Sequence, residues 1–379
     1  MKIEQTFWTR ETGWKPARPG QLGGAAQLVL VFGGTAIVKA REHLNEARRA
    51  YPRAHFFGCS TAGEIAGTQV SDDAMVVTAI HFEHTQFQGA QITVTGPEES
   101  FKAGERLGQM LDHNGLVHVF VLSEGVHING SELVKGLTKH LPPGVAATGG
   151  LSGDGERMQE TYVLWNKQAQ QNTIGVLGFY GDRLRVGYGS LGGWDTFGPE
   201  RLITLSQGNV LYEMDGKSAL ELYKKYLGEH ARELPAAGLL FPLSLRTHSG
   251  VTGVVRTVLA VDEEEQSMTF AGDVPVGSYV QLMKANFDRL IDGAAGAARV
   301  SYEAIGSVSP DLTILISCVG RKMALKQRIE EEVEGAREVL GVKTALTGFY
   351  SYGEISPFTP NAACELHNQT MTITTLSER

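Results

Sequence analysis

One unit of sequence occurs three times in this chain, and this repetition constrains the fold more than any other feature. Each copy begins with an apolar run of strand length, continues through a segment with the apolar spacing of a helix, and reaches a second strand. A glycine-rich turn with a hydroxyl and an acidic side chain ends each copy. The copies span residues 28–64, 117–156 and 312–354. The chain is therefore predicted to be built from repeated strand–helix–strand units.

The sequence after each turn alternates apolar and polar residues with a period of two. The alternating stretches are residues 74–87, 161–185 and 365–376. Such alternation is typical of strands in hairpins, which turn only one face to a core. Strand–helix–strand units followed by hairpins favour mixed sheets over one purely parallel sheet. We therefore predict a mixed α/β fold in which helices flank the sheets.

Charge and composition exclude several classes of partner and location. The 379 residues carry a formal net charge of -8, and an acidic surface repels a phosphate backbone, so no nucleic-acid partner is expected. The N-terminal residues lack the apolar centre of a signal peptide, and the longest apolar runs are too short for membrane insertion. Three cysteines without a paired motif indicate a reducing compartment. We expect a cytoplasmic protein.

The glycine-rich turns are the candidate ligand-binding positions. Glycine after a strand lets the backbone turn sharply and expose N–H groups, and a nearby carboxylate can hold an ammonium or hydroxyl group. The same side chains could instead fix the turns through local hydrogen bonds. Across three copies, a shared site at the strand ends is favoured. The predicted ligand-binding residues are Cys59, Ser60, Thr61, Glu64, Asn129, Ser152, Asp154, Tyr352 and Glu354.

Two of the turns approach the nucleophile-elbow pattern of hydrolases without completing it. Residues 58–62 and 150–154 place Ser60 and Ser152 two residues after a glycine, but the final glycine is missing. Cys59 could be reactive, because backbone N–H groups in a turn favour a thiolate. A hydrolase using Cys59 or Ser152 is therefore an alternative, although we expect that the protein is not an enzyme. His, Cys and acidic residues show no zinc-site spacing.

Four stretches of the chain resemble the signature sequences of the FIST family. They are residues 58–65 (GCSTAGEI), 129–136 (NGSELVKG), 351–355 (SYGEI) and 367–371 (HNQTM). The similarity covers roughly residues 27–376, as an N-terminal and a C-terminal FIST domain. Together with a change of composition around residues 228–242, it predicts an N-terminal extension at 1–27, a FIST N-terminal domain at 28–228 and a FIST C-terminal domain at 229–379.

The resemblance implies a bacterial sensory protein, because FIST domains are proposed to bind small ligands such as amino acids. Stand-alone members of this length resemble haem proteins that sense nitric oxide and regulate a histidine kinase. On that basis we expect haem b as cofactor, nitric oxide as signal and a sensor histidine kinase as partner. A histidine commonly holds haem iron; His127, near the predicted turns, is the first candidate and His367 the second. The alternative is a non-haem sensor of amino acids or other small metabolites.

Overall fold

A computed structural model describes residues 1–166, 168–246, 254–358 and 362–379. It shows three consecutive structural units, the last of which contains a long insertion. Unit 1 covers residues 2–81, and its first strand lies in the segment predicted as an N-terminal extension. Its elements are β1 (Lys2–Thr9), β2 (Gly13–Lys15), β3 (Leu28–Gly34), α1 (Thr35–Ala40), α2 (Glu42–Ala50), β4 (His55–Thr61), β5 (Glu64–Ala66), β6 (Gln69–Ser71) and β7 (Met75–His81).

Unit 2 covers residues 86–180. Its elements are β8 (Gln86–Thr93), α3 (Ser100–Met110), β9 (Leu116–Ser123), α4 (Gly130–Thr138), β10 (Ala146–Leu151), β11 (Val163–Trp165), β12 (Gln168–Gln170) and β13 (Thr173–Tyr180). The connection between its strand β10 and its hairpin is longer than the corresponding connection between β4 and the hairpin of unit 1. Helix α4 begins after Asn129, whose side chain accepts a hydrogen bond of 3.1 Å from the backbone N–H of Glu132. Asn129 is therefore the N-cap of this helix.

Unit 3 begins at residue 184 and ends at residue 378, and its first strand is followed by an insertion. The insertion contains β15 (Asp195–Gln207), β16 (Val210–Met214), β17 (Lys217–Ser218), α5 (Ala219–Leu227), β18 (Leu243–Arg246), β19 (Val254–Arg256), β20 (Val258–Asp262), β21 (Ser267–Phe270) and β22 (Tyr279–Lys284). The rest of the unit is β14 (Leu184–Leu191), α6 (Phe287–Ala304), β23 (Leu312–Cys318), α7 (Val319–Leu325), α8 (Ile329–Leu340), β24 (Ala345–Ser351), β25 (Gly353–Pro357), β26 (Cys364–His367) and β27 (Met371–Glu378).

The insertion forms its own sheet of eight strands with a separate apolar core beneath α5. The boundary predicted between residues 228 and 229 lies within this insertion.

The three units form sheets with the same strand order. Neighbouring strands run β4-β3-β7-β1 in unit 1, β10-β9-β13-β8 in unit 2 and β24-β23-β27-β14 in unit 3. The first two strands of each series are parallel, and the remaining neighbours are antiparallel. The predicted mixed α/β fold is therefore confirmed.

A hairpin from each unit completes the sheet of another unit. Hairpin β11–β12 of unit 2 pairs with β4 of unit 1, β25–β26 of unit 3 pairs with β10 of unit 2, and β5–β6 of unit 1 pairs with β24 of unit 3. The exchange is cyclic, so no unit completes its sheet alone. Because each hairpin follows a glycine-rich turn, the turns are the points at which the chain passes from one unit to another.

One apolar core lies between the three sheets. It contains side chains from the central strand of every unit, including Phe32, Phe120 and Ile316. Helices cover the outer faces of these strands. Burial on both faces explains why the central strands are continuous apolar runs in the sequence. Within the described residues, no helix is both long and apolar enough to cross a membrane.

Candidate functional site

The three glycine-rich turns meet at one place, where the parallel strands of all three units end. Backbone hydrogen bonds join every pair of turns. These bonds run from Gly153 N–H to Ser60 O at 2.9 Å, from Ala62 N–H to Tyr350 O at 2.8 Å and from Tyr352 N–H to Leu151 O at 3.3 Å. The strand ends that the repeated sequence singles out are therefore neighbours in space, although long stretches of chain separate them.

A glycine at the same place in β4, β10 and β24 permits close contact with the parallel neighbour strand. A Cβ atom added to Gly58, Gly149 or Gly348 would lie 1.8, 1.8 or 1.9 Å from a carbonyl oxygen of that neighbour. Such distances are far inside van der Waals contact, so no side chain fits without moving a strand. The glycines of the repeat are therefore required by packing between strands.

Glu64 and Glu354 occupy corresponding places in units 1 and 3, and both fix their turns. Glu354 accepts hydrogen bonds from Ser351 Oγ at 2.6 Å and from the backbone N–H of Thr370 at 3.1 Å. Glu64 accepts the corresponding backbone bond from Ala74 at 2.9 Å and a hydroxyl bond from its own turn. Burial raises the pKa of both carboxyls to about 8.

These two carboxyls give a testable pH dependence of stability. In the folded protein the pKa of both carboxyls lies above the ordinary value of 4.5, so the folded state is more stable when these carboxyls are protonated. The stabilisation is complete below about pH 4.5 and is lost as the pH rises through about 8. From about pH 5 to about pH 9, we expect wild-type protein to lose on the order of a few kcal/mol of stability that the Glu64→Gln, Glu354→Gln double variant retains.

Thermal unfolding across this pH range measures the effect, since glutamine keeps an acceptor oxygen but cannot ionise. Parallel curves for wild type and the double variant would contradict the prediction.

Unit 2 departs from this arrangement. In its hairpin, Val163 occupies the position of Glu64 in unit 1 and of Glu354 in unit 3, and it pairs with Cys59. The buried acidic side chain of unit 2 is instead Glu124. Glu124 accepts hydrogen bonds from Thr161 Oγ1 at 2.5 Å and from the backbone N–H of His127 at 2.7 Å. Residues 153–160 form an additional loop between the unit 2 turn and its hairpin.

Tyr352 of unit 3 holds the additional loop in place. Its phenolic oxygen accepts hydrogen bonds from the backbone N–H groups of Asp154 and Met158, each at 3.0 Å, and donates to the carbonyl of Gly155 at 3.1 Å. Burial raises the pKa of Tyr352 to about 12, so the phenol stays protonated at neutral pH. The loop is therefore anchored over the junction of the turns.

A cavity of about 300 Å³, here called the central cavity, opens between this loop and the unit 1 turn. Four acidic side chains and two basic groups line it. Asp72, Asp73 and Glu156 are exposed, whereas Glu64 is buried at its floor. Lys322 in the middle of α7 donates to a backbone carbonyl of the unit 1 turn at 2.8 Å and also pairs with Asp72. The central cavity is therefore polar, and its carboxylates outnumber its basic groups.

Arg157 is the second basic group of the central cavity. Its Nε and Nη2 donate to Asp154 Oδ1 at 2.9 and 2.6 Å. Burial acts to raise the pKa of Asp154, but hydrogen bonds from Arg157 help to leave that pKa below its ordinary value. The Arg157 side chain is 53% exposed, so it is accessible to a ligand from solvent. A wider opening of about 610 Å³ continues from Asp154 along Thr35 and Lys39.

A second cavity, of about 420 Å³, lies on the other side of Tyr352. Asn129, Asn209 and Tyr352 are among its polar lining residues, and Leu151, Met158 and Phe270 contribute to its apolar wall. We call it the tyrosine cavity. Of the predicted ligand-binding residues, Thr61 and Glu64 line the central cavity, Asp154 lines its wider opening, and Asn129 and Tyr352 line the tyrosine cavity.

Four predicted residues lie outside these cavities. Glu354 fixes the unit 3 turn, as described above. Ser60 Oγ donates to Gly153 O at 2.8 Å, and Ser152 Oγ donates to Ser123 O at 2.9 Å; both serines are fully buried. Cys59 is also fully buried, and burial raises the pKa of its thiol well above the ordinary value. All four side chains are therefore buried inside the fold, and none of the candidate nucleophiles Cys59, Ser60 and Ser152 faces solvent.

The two candidate haem ligands do not point into either cavity. The His127 side chain is 49% exposed, and its Nδ1 lies 3.5 Å from Glu124 Oε1. His367 is fully buried, its Nε2 lies 2.8 Å from Ser356 O, and burial lowers its pKa to about 4. Among the described residues, no group of three or more His, Cys, Asp or Glu could hold a metal ion. As placed here, neither histidine fits the role of an axial haem ligand facing a cavity.

Reasoning from the sequence missed the charged residues of the central cavity. Lys322 and Asp72 lie 250 residues apart, and no local pattern relates them. Arg157 lies in a glycine-rich, charged stretch, 153–160, which offers a weak signal.

Comparison with known families gives two matches that together cover most of the chain. The FIST N domain profile matches residues 27–217, and the FIST C domain profile matches residues 219–357. The uncharacterized protein MJ1623 of Methanocaldococcus jannaschii is 22% identical over 350 residues. That alignment covers 82% of this chain but 63% of the relative, so the chain spans less than two thirds of that protein.

Two solved structures show weak likeness. A cyanuric acid hydrolase aligns with 100% of this chain and 99% of its own at 9% identity and a TM-score of 0.37. The cyanuric acid hydrolase from A. caulinodans aligns with 78% of this chain and 99% of its own at 10% identity and a TM-score of 0.19. Likeness at this level bears on neither the fold nor the activity of this chain.

Proposed function

The chain belongs to the FIST family of sensory, small-ligand-binding domains, and from that premise we propose that it senses a small zwitterionic metabolite of the amino-acid type. The ligand would occupy the central cavity. Its ammonium group would be held by Asp72 and Glu156, and its carboxylate by Arg157. No catalytic step belongs to this proposal.

One observation carries the proposal: charged groups of both signs from all three units line a single cavity. Asp72 comes from unit 1, Glu156 and Arg157 from the additional loop of unit 2, and Lys322 from unit 3. A zwitterion presents both signs on a small body, and ionised groups form the stronger class of hydrogen bond. A cavity with a few convergent polar groups is the usual form of a small-molecule site.

The arrangement also suggests how binding could be transmitted. Lys322 joins α7 of unit 3 to the turn and to Asp72 of unit 1. A ligand ammonium that competes for Asp72 would weaken this link between the units. Such a ligand can shift the arrangement of units only if it binds one arrangement more tightly than another.

We expect that at least one L-amino acid raises the melting temperature of the protein, because selective binding to the native state increases apparent stability. Its decarboxylated amine and its deaminated acid should bind more weakly, since each lacks one charge. Loss of a charged hydrogen bond costs about 1.5–3 kcal/mol, so Asp72→Asn and Arg157→Gln should each weaken binding about tenfold or more. Isothermal titration calorimetry measures these affinities.

The matched control is Glu265→Gln, which neutralises an exposed acid in the insertion. It should bind the amino acid like wild type. The proposal is wrong if no amino acid binds, or if both cavity variants bind like wild type.

Haem-based sensing of nitric oxide with a histidine kinase partner in the cytoplasm is the finer function that the family resemblance suggests. Because neither His127 nor His367 fits as an axial ligand in the cavities, no step of our proposal depends on haem. An absorption spectrum of haem-supplied protein provides the comparison. A Soret band that shifts with nitric oxide and is lost in His127→Ala or His367→Ala would favour the haem sensor over the amino-acid sensor.

A further inference from the structure

A third cavity lies between the insertion and unit 2, away from the central cavity. It has a volume of about 500 Å³ and is bounded by α4, by β26 and by strands β18 and β19 of the insertion. We call it the interface cavity. Its lining includes two buried polar residues, Ser131 and Arg256, and several apolar side chains.

Arg256 is a buried cation without a carboxylate partner. The residue is 6% exposed, and its Nε and Nη1 donate to backbone carbonyls, of which Asp273 O lies at 2.9 Å and Leu366 O at 3.1 Å. Its Nη2 donates to no described acceptor, and no described carboxylate forms an ion pair with the guanidinium. A buried charge of this kind is costly unless an anion compensates for it. Arg256 therefore has an unused donor at the interface cavity, and the carboxylates of Asp273 and Glu365 act on its charge only from beyond ion-pair distance.

Ser131 supplies a second unused polar group. The residue is 6% exposed, and its Oγ is buried with no hydrogen-bond partner among the described residues. A Cβ atom added to Gly272 would lie 3.0 Å from Ser131 Oγ and 3.0 Å from both Cζ and Nε of Arg256. The hydroxyl and the guanidinium are therefore neighbours, and both residues line the interface cavity. One small anionic group in this cavity could bind to both.

The other charged groups at this cavity are already paired or lie at its edge. Lys135 binds Asp273 at 2.9 Å and Glu132 at 2.7 Å, and Lys139 binds Glu105 at 2.7 Å. Glu365 also lines the cavity and is partly exposed. Neither lysine is free in the way that Arg256 is, so the recognition of an anion falls to Arg256.

The remaining wall is apolar. Val134 of α4, Leu245 and Val254 of the insertion and Leu366 of β26 line the interface cavity. An inorganic anion would leave this surface without a partner, whereas an aliphatic chain would cover it. A carboxylate can accept a hydrogen bond from Nη2 of Arg256, and hydrogen bonds between ionised groups are the stronger class.

We propose that the interface cavity binds a small monocarboxylate with an apolar body, whose carboxylate accepts hydrogen bonds from Arg256 and Ser131. This second site is independent of the zwitterion site in the central cavity. A ligand here contacts both the insertion and unit 2, so it would strengthen the contact between them.

The test is calorimetric titration of the full chain with octanoate, with octan-1-ol as the uncharged analogue and with inorganic phosphate as the anion without an apolar body. Octanoate should bind at least tenfold more tightly than either of the other two. Ser131→Ala should weaken octanoate binding about tenfold, and because the Ser131 hydroxyl makes no hydrogen bond, this variant should melt like wild type. Arg256→Lys should weaken binding further, because a single ammonium group cannot keep the backbone hydrogen bonds of Nε and Nη1 and also replace the Nη2 donor.

The matched control for Arg256→Lys is Arg246→Lys, at an exposed arginine whose partner is Glu200. It should bind octanoate like wild type, and so should the central-cavity variant Asp72→Asn. Retention of binding by Asp72→Asn keeps this proposal separate from that of the zwitterion site.

Cys364 reports whether octanoate occupies this cavity. It lines the interface cavity and is the partly exposed one of the three cysteines, since Cys59 and Cys318 are buried. Bound octanoate should slow its modification by N-ethylmaleimide, followed by mass spectrometry. Equal affinity for octanoate and octan-1-ol, tighter binding of phosphate, unchanged affinity in Ser131→Ala, or unprotected Cys364 would each overturn the proposal.

Discussion

Replacing Gly348 by alanine is expected to prevent stable folding of the chain. The added Cβ would lie 1.9 Å from the carbonyl oxygen of Leu315 and 2.7 Å from its carbonyl carbon. Both strands involved, β23 and β24, are buried in the core that the three units share, so neither can move without displacing its neighbours. Overpacking that side chains can absorb costs about 1–3 kcal/mol; a clash with backbone should cost more than that.

The effect is measured as soluble yield and melting temperature. Gly58→Ala should behave in the same way, because its Cβ would lie 1.8 Å from Val31 O in the corresponding strand pair. Gly24→Ala is the matched control, since no atom lies within 4 Å of its added Cβ, and it should melt within a few degrees of wild type. If Gly348→Ala also melts within a few degrees of wild type, the close strand contact is not as described.

Replacing Arg321 by methionine should also be strongly destabilising. Arg321 and Glu332 are both fully buried, and the guanidinium donates to Glu332 Oε2 at 3.0 and 2.7 Å. Glu332 also accepts hydrogen bonds from Ser317 at 3.0 Å and Tyr350 at 2.7 Å, so it cannot turn out to solvent without breaking them. Removing one partner of a buried ion pair leaves the other uncompensated, which typically costs about 3–5 kcal/mol.

Denaturant midpoints at constant pH measure this loss. The double variant Arg321→Met, Glu332→Gln should recover part of the stability, because no buried charge remains. At the exposed pair of Arg246 and Glu200, Arg246→Met should shift the midpoint far less than Arg321→Met does, because solvent screens this pair. Equal losses for Arg321→Met and Arg246→Met would show that burial does not set the strength of the inner pair.

The repeated unit could be recognised from the sequence because its signals are local. Apolar runs such as residues 28–32 are continuous in the sequence because both faces of the strand are buried, and the helices that follow show helical apolar spacing. The alternating stretches after the turns contain the strands β7, β13 and β27, together with the unit 2 hairpin and one strand of the unit 3 hairpin. Local periodicity therefore predicted the mixed α/β class, and the structure confirms it.

The roles of individual turn residues were harder to predict. Glu64 and Glu354 belong to the same sequence pattern. Whether such a carboxyl fixes its turn or binds a ligand depends on where it lies relative to the backbone N–H groups of Ala74 and Thr370, and the pattern does not show this. Both carboxylates are satisfied inside the fold, while Glu64 also reaches the floor of the central cavity. The motif thus identified the turns at the strand ends without identifying what each side chain does.

By itself, the sequence determined the strand–helix–strand units and the positions of their turns, since these depend on local backbone geometry and on burial periodicity. Only the tertiary structure decided which hairpin completes which sheet, because backbone hydrogen bonds between strands are the same for any pair of residues. That cyclic exchange brings Asp72, Arg157 and Lys322 together around one cavity. The candidate site is therefore a product of chain topology, and its charged residues come from all three units.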